Sequence, residues 1–155
     1  MFETASHAGL HLVFTVQSLA CALPIGRVIE TMRPQPVRRI ESAPEVVLGA
    51  AIIRGIPTPV VDASRLLGAE GDAPVGRFVT LGLDGRQVSL AVTTVQGVRA
   101  LGEHAFAALP PLLAEADDQA VAAIGALDQQ LMLLLGGVRM LPDAVFASLP
   151  QGARA

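Results

Sequence analysis

Lysine, tryptophan and tyrosine are absent from this chain of 155 residues, and aromatic side chains amount to five phenylalanines. The eleven basic residues are all arginine, spread singly except for Arg38-Arg39, and the formal net charge is −3. No basic stripe exists to neutralise a run of phosphates, and no stacking platform exists for single-stranded bases, which excludes nucleic acid as an expected partner. The lone Cys21 cannot close an internal disulfide and reads as a small buried hydrophobe in a reducing compartment. No Lys or Arg precedes Arg27, so the apolar stretch from Leu10 to Ile25 lacks the positive start of a secretory signal, and Leu131–Leu135 is too short to cross a bilayer. A cytoplasmic protein without direct membrane insertion is expected.

Catalytic chemistry is equally sparse. His7, His11 and His104 are isolated, no Cys or His stands at metal-ligand spacing, and neither a nucleophile elbow nor a phosphate-binding glycine loop occurs. Gly136-Gly137 reads as a turn, and Asp117-Asp118 as a solvated loop. The expectation is a protein that is no enzyme and that needs neither cofactor nor metal.

What is present is apolar and β-rich. Hydrophobic residues make up 52% and charged residues only 16%, which leaves much apolar surface and suits a protein that works in complexes. His11–Val16 and Ala20–Leu23 read as an opening hairpin about Gln17-Ser18. Between Ile25 and Met32, helical spacing competes with β-branching, and strand is favoured. Ser42-Ala43-Pro44-Glu45 has the form of a helix start, with Gly49 as its end. Strands are expected at Ala50–Arg54 and Thr58–Val61, with Asp62 capping a helical turn through Leu67 that Gly68 closes.

Arg77–Leu83 and Arg86–Val92 flank Asp84-Gly85, the strongest hairpin signal in the chain, and Val95–Leu101 adds a strand. Glu103–Asp118 reads as a long connection with helical pieces. Ala120–Leu127 and Gln130–Leu135 pair around Asp128-Gln129, and Pro142 opens a final helix bearing Val145, Phe146 and Leu149. Short strands and frequent turns predict an all-β, barrel-like architecture spanning 1–155 as one domain, with any lobes interwoven and no internal repeat visible.

Three charges stand inside apolar runs: Glu30 in Val28-Ile29-Glu30-Thr31-Met32, Arg54 in Ile52-Ile53-Arg54-Gly55, and Asp62 after Pro59-Val60-Val61. Glu30 reads either as the solvent-facing member of an alternating strand or as a site residue, and Asp62 either as a cap or as part of a rim. Arg54 is a permanent charge where burial is expected, so it either pairs with Glu30 or Asp62 or faces a partner.

At these residues the chain resembles the CheW-like domain family of bacterial chemotaxis coupling proteins. The landmarks are Leu12–Val16, Val28-Ile29-Glu30, Ala43-Pro44 with Leu48-Gly49, and Arg54-Gly55 with Pro59-Val60-Val61-Asp62. Gly97-Val98, Gly125-Ala126-Leu127 and Gln130–Leu135 follow. The resemblance implies two interlocked SH3-like β-barrel lobes with short helices and no catalytic activity. It implies an adaptor between the cytoplasmic tips of chemoreceptors and the regulatory domain of a chemotaxis histidine kinase, recruited to membrane-associated receptor arrays. It places receptor contact on Val28, Ile29, Glu30, Arg54 and Gly55 in a groove between lobes, with Pro59 and Asp62 as structural or rim residues. Two departures stand out: Ile52 where the family commonly has Asn, and Asp62-Ala63 where Asp-Leu is usual. The competing reading is a small all-β ligand-binding protein or enzyme that uses the groove for an apolar metabolite, which would demand a deep enclosed pocket.

Overall fold

The computed structural model describes residues 9–71, 74–83, 85–101, 106–108, 121–135 and 145. Among the described residues eleven strands are formed in chain order: β1 (Leu10–Val16), β2 (Leu19–Pro24), β3 (Val28–Met32), β4 (Val47–Ile53), β5 (Ile56–Asp62), β6 (Arg77–Leu83), β7 (Arg86–Val92), β8 (Thr94–Ala100), β9 (Phe106–Ala108), β10 (Val121–Leu127) and β11 (Gln130–Leu135). A single 3-10 turn, Ile25–Arg27, separates β2 from β3, and α1 (Ala63–Leu66) follows β5. The competition between helix and strand over Ile25–Met32 is thus divided: Pro24 and Gly26 allow one tight turn, and β-branched Val28 and Ile29 then extend.

The strands build two sheets. One runs β8-β1-β2-β11-β10-β9 and the other β3-β6-β7-β5-β4. The middle of the chain makes the second sheet, while both flanking parts make the first, so the second lobe is inserted into the first. The largest hydrophobic cluster lies between them, joining Leu12, Phe14, Val16 and Leu23 to Val79, Leu81, Val88, Leu90 and Val92. Each such side chain removed from water contributes about 1.5–3 kcal/mol, so this shared core binds the lobes together. Smaller clusters occupy the far face of each sheet: Val13, Ala20, Ala22 and Met132 in one, Ala51, Ile53, Val60, Phe78 and Ala91 in the other.

No repeat is visible in the amino acids, yet the two lobes repeat each other in register. The hairpins β1–β2 and β6–β7 each close on two residues, between Val16 and Leu19 and between Leu83 and Arg86. In the second lobe β3 meets β6 with a shift between Val28 and Glu30, and in the first β8 meets β1 with a shift between Gly97 and Val95. Parallel pairing joins β5 to β7 and β11 to β2. Both outer hairpins skip one residue, at Leu48 between Val47 and Gly49 and at Ala122 between Val121 and Ala123. Even the outermost contacts correspond, Arg38 bridging Ala50 as Ala107 pairs with Ile124. Two bulges at matching positions bend each sheet so that its edges turn toward one another.

The expected helix start at Ser42 is not formed. Ser42 has φ +69, outside the extended region that an N-cap needs, and Val47 and Leu48 lie in β4. Gly49 serves close approach instead: a Cβ there would sit 2.1 Å from the Arg38 carbonyl oxygen. That approach lets the segment after β3 cover the edge of β4, through Arg38 N–H to Ala50 O and Ala50 N–H to Arg38 O, each 2.8 Å.

Strand ends also move. Pro57 and Pro59 lie within β5, whose ladder to β7 starts only at Val60. In a two-residue hairpin the flanking pair is hydrogen-bonded, so both prolines fall at positions that need no N–H toward β4. The Asp62 cap is present: its carboxylate accepts from Ser64 N–H at 2.9 Å. Of the expected helical connection 103–118, the described part is 106–108, an edge strand. Of the final helix, Val145 is described, helical and buried in the shared core. His7, His104, Asp117-Asp118, Gly136-Gly137, Phe146 and Leu149 lie outside the described residues.

Candidate functional site

Arg54 does not continue a strand. β4 ends at Ile53, which pairs with Ile56, leaving Arg54-Gly55 as a two-residue turn with φ of +51 and +77. Positive φ at both positions is the type I′ geometry that matches strand twist, and Gly55 takes it without strain. The turn carries the Arg54 side chain out of the apolar run that surrounds it in sequence, and 70% of that side chain is exposed. Burial, expected from the neighbours, is avoided by the turn.

The guanidinium reaches back across the open side of the second lobe. Arg54 Nε donates to Glu30 Oε1 at 2.5 Å and Nη2 donates to Oε2 at 3.0 Å, a two-point fork on one carboxylate. Glu30 is on β3 and the turn is at the end of β4, the two edges of this sheet, so the ion pair spans the seam where the sheet closes on itself. Of the two partners open to Arg54 in sequence, Glu30 is taken and Asp62 is not; Asp62 faces Arg65 at 3.5 Å. The hydrogen bonds donated by Arg54 hold the Glu30 carboxyl below its ordinary value, and those accepted by Glu30 raise Arg54.

Apolar groups flank the pair. Ile29, the bulged residue of β3, is 50% exposed and lies over Gly82, while Ile56 is 49% exposed beside the turn. Below them the turn is braced by a polar strip inside the lobe. Gln87 Nε2 donates to Thr58 Oγ1 at 2.8 Å and to the Ile53 carbonyl at 3.4 Å, and Thr58 Oγ1 donates to the Ile56 carbonyl at 2.9 Å. Both ends of the Arg54 turn are therefore tied to β7. Ile56, Thr58 and Gln87 were not singled out from sequence; the available signal was a hydroxyl lying between two prolines at Pro57-Thr58-Pro59.

The structure brings together Ile29, Glu30, Arg54 and Gly55. Val28 points the other way, half-buried against the shared core, and Pro59 is buried inside β5. Asp62 is at the opposite end of that strand, capping α1. The first lobe has its own version of the seam contact, Arg99 Nη1 to Asp128 Oδ2 at 3.2 Å, with the charges exchanged between strand and turn. Asp128 and Gln129 take φ of +50 and +67 in that turn without a glycine.

Among the described residues no group of three His, Cys, Asp or Glu is placed to hold a metal ion, and no helix is long and apolar enough to cross a membrane. Cys21 is fully buried, and burial pushes its thiol up to about 12. Two clefts formed by described residues, of about 760 and 670 Å3, are open and rimmed by charged side chains. Neither has the enclosed apolar form that a metabolite carrier needs.

Two nested β lobes, one with an exposed, braced ion pair at its mouth, define a protein of the paired-barrel class. Residues 10–145 match the model of the CheW-like domain, and the chain belongs to that family. Its fold is similar to the crystal structure of the scaffolding protein TtCheW from Thermoanaerobacter tengcongensis, at 23% identity and a TM-score of 0.72, covering 83% of this chain and 89% of that one.

Proposed function

We propose that the protein is a non-catalytic coupling adaptor of a bacterial chemotaxis array, joining the cytoplasmic tips of chemoreceptors to the regulatory domain of a histidine kinase. Membership of the CheW-like family supports this reading, and the observation that carries it is the Glu30–Arg54 fork presented outward between Ile29 and Ile56. A receptor helix would lay its i, i+3, i+4 anchors on the apolar flanks while the fork supplies a directional polar contact at the edge. Each contact buries roughly 800 Å2 per partner or less, and the array gains strength through many such contacts. The protein reaches the membrane through its receptors.

Mixing the purified protein with a chemoreceptor tip fragment and a kinase regulatory domain tests this. A ternary complex is expected, with Arg54→Asp losing receptor binding at least tenfold while the variant still folds, its melting temperature lowered only by loss of the exposed ion pair. Unchanged receptor binding, or a variant that no longer folds, would remove Arg54 from the docking role. Neither of the two clefts formed by described residues is the deep enclosed pocket that the metabolite-carrier alternative needs.

A further inference from the structure

A second polar surface lies at the junction of the lobes and is independent of the receptor reading. The β3–β6 ladder ends with Met32 opposite Phe78, and one residue further Arg33 leaves β3 beside Arg77, the first residue of β6. Neighbouring positions on paired strands have Cβ atoms roughly 5 Å apart, and like charges so placed destabilise a sheet. Arg54, Arg65 and Arg99 each have a carboxylate. Arg33 and Arg77 have none among the described residues, although the fold places them together on one open cleft of about 670 Å3.

The cleft floor is the crossover from the second sheet to the first, and it is firmly held. Gly76 N–H donates to the Val92 carbonyl at 3.0 Å, and a Cβ on Gly76 would lie 2.3 Å from the Thr93 carbonyl oxygen. Gln17 N–H donates to Thr93 Oγ1 at 2.8 Å, and the Thr15 and Thr94 hydroxyls are 2.7 Å apart. Among the described residues no Asp or Glu lines this cleft. In a chain of net charge −3 it is a local positive site held on a rigid floor.

We propose that this cleft docks an acidic segment of a partner protein, with carboxylates engaging Arg33 and Arg77. Arginine forks match carboxylates in two-point geometry, and a bound pair of carboxylates removes the repulsion that the empty cleft carries. A compact free anion would meet only the two exposed guanidinium groups and the edge of the threonine floor, whereas a peptide gains further contact along the cleft. The feature lies outside the Glu30–Arg54 mouth, so either surface can fail without the other.

The test is an NMR titration of the 15N-labelled protein with a capped alanine-based peptide bearing two glutamates four residues apart, and with its two-glutamine counterpart. The glutamate peptide shifts the Arg33 and Arg77 Nε–H signals and binds about tenfold or more tightly than the glutamine peptide, with affinity falling as salt rises. Arg33→Gln and Arg77→Gln each weaken binding about fivefold, Arg27→Gln leaves it unchanged, and neither cleft variant lowers the melting temperature. Equal binding of the two peptides, or unaltered binding by both cleft variants, overturns the proposal. So does a fall in melting temperature in both variants, which would make the arginines structural. Inorganic phosphate that reproduces the shifts at the peptide's concentration would mark a simple anion site and also overturns it.

Discussion

Replacing Gly49 by alanine drives a methyl group into the segment that covers the edge of β4. The new Cβ would start 2.1 Å from the Arg38 oxygen and 2.8 Å from Val37 Cγ1. Ordinary contact requires the covering segment to retreat by roughly 1 Å, which carries both 2.8 Å hydrogen bonds between Arg38 and Ala50 out of range. Two such bonds are worth about 1–3 kcal/mol together, with water recovering part of that. The backbone φ of +153 at Gly49 adds strain for an L residue of about 1 kcal/mol. The sum is about 2–4 kcal/mol, or roughly 5–15 °C in Tm for a chain of this length. Gly85→Ala is the control, because Gly85 has φ +74 but open space around it, so it suffers strain of about 1 kcal/mol without the clash. Thermal and urea melts followed by circular dichroism decide the matter. If Gly49→Ala costs no more than Gly85→Ala, the covering segment does not seal the second lobe as described.

Other outcomes follow from the same geometry. Leu81→Ala opens a cavity in the core that both lobes share and costs about 3–5 kcal/mol in a single cooperative urea transition, whereas two separate transitions would show lobes that fold independently. Cys21, fully buried with its thiol pushed up to about 12, resists Ellman's reagent in the folded protein at pH 8 and reacts only on unfolding; prompt labelling of native protein contradicts that burial. The Glu30 carboxyl is held below its ordinary value, so its contribution is present above the unfolded pKa and lost as pH falls through the lower folded one. Urea midpoints of the parent and of Glu30→Gln therefore differ at neutral pH and converge in acid; a constant difference across that range would show that no linkage exists. Gln87→Leu loosens the Arg54 turn and weakens receptor binding severalfold through faster dissociation, while unchanged dissociation would leave Gln87 as mere filling.

Much of the fold was legible in the residues themselves. Asp84-Gly85 and the apolar runs beside it announce a two-residue hairpin, and Asp62 before Ala63-Ser64 announces a cap, because both features are local. The Ser42-Pro44 motif misled because an N-cap pattern competes with a glycine whose use is tertiary: Gly49 is needed for the approach of Arg38, eleven positions earlier in the chain. The Arg54 turn was hidden by apolar residues on both sides, although an X-Gly pair between two β-branched runs carries its signature. Glu30 and Arg54 are 24 positions apart, and only closure of the sheet joins them. The repeat of the lobes escaped for a chemical reason. Thr58, Gln87 and Ser89 line the inside of one, while Met132, Ala20 and Ala22 hold the corresponding register in the other. Backbone pairing is repeated where side-chain chemistry is not.

The most direct measurement is a charge exchange across the seam, Glu30→Arg with Arg54→Glu, assayed for melting temperature and for receptor-tip affinity in the same preparation. With the pair restored in reverse, the melting curve returns to that of the parent while receptor binding stays lost, because the direction of charge presented to the helix is inverted. Parental affinity in the exchanged protein would contradict the account and reduce the pair to a fastener of the second lobe.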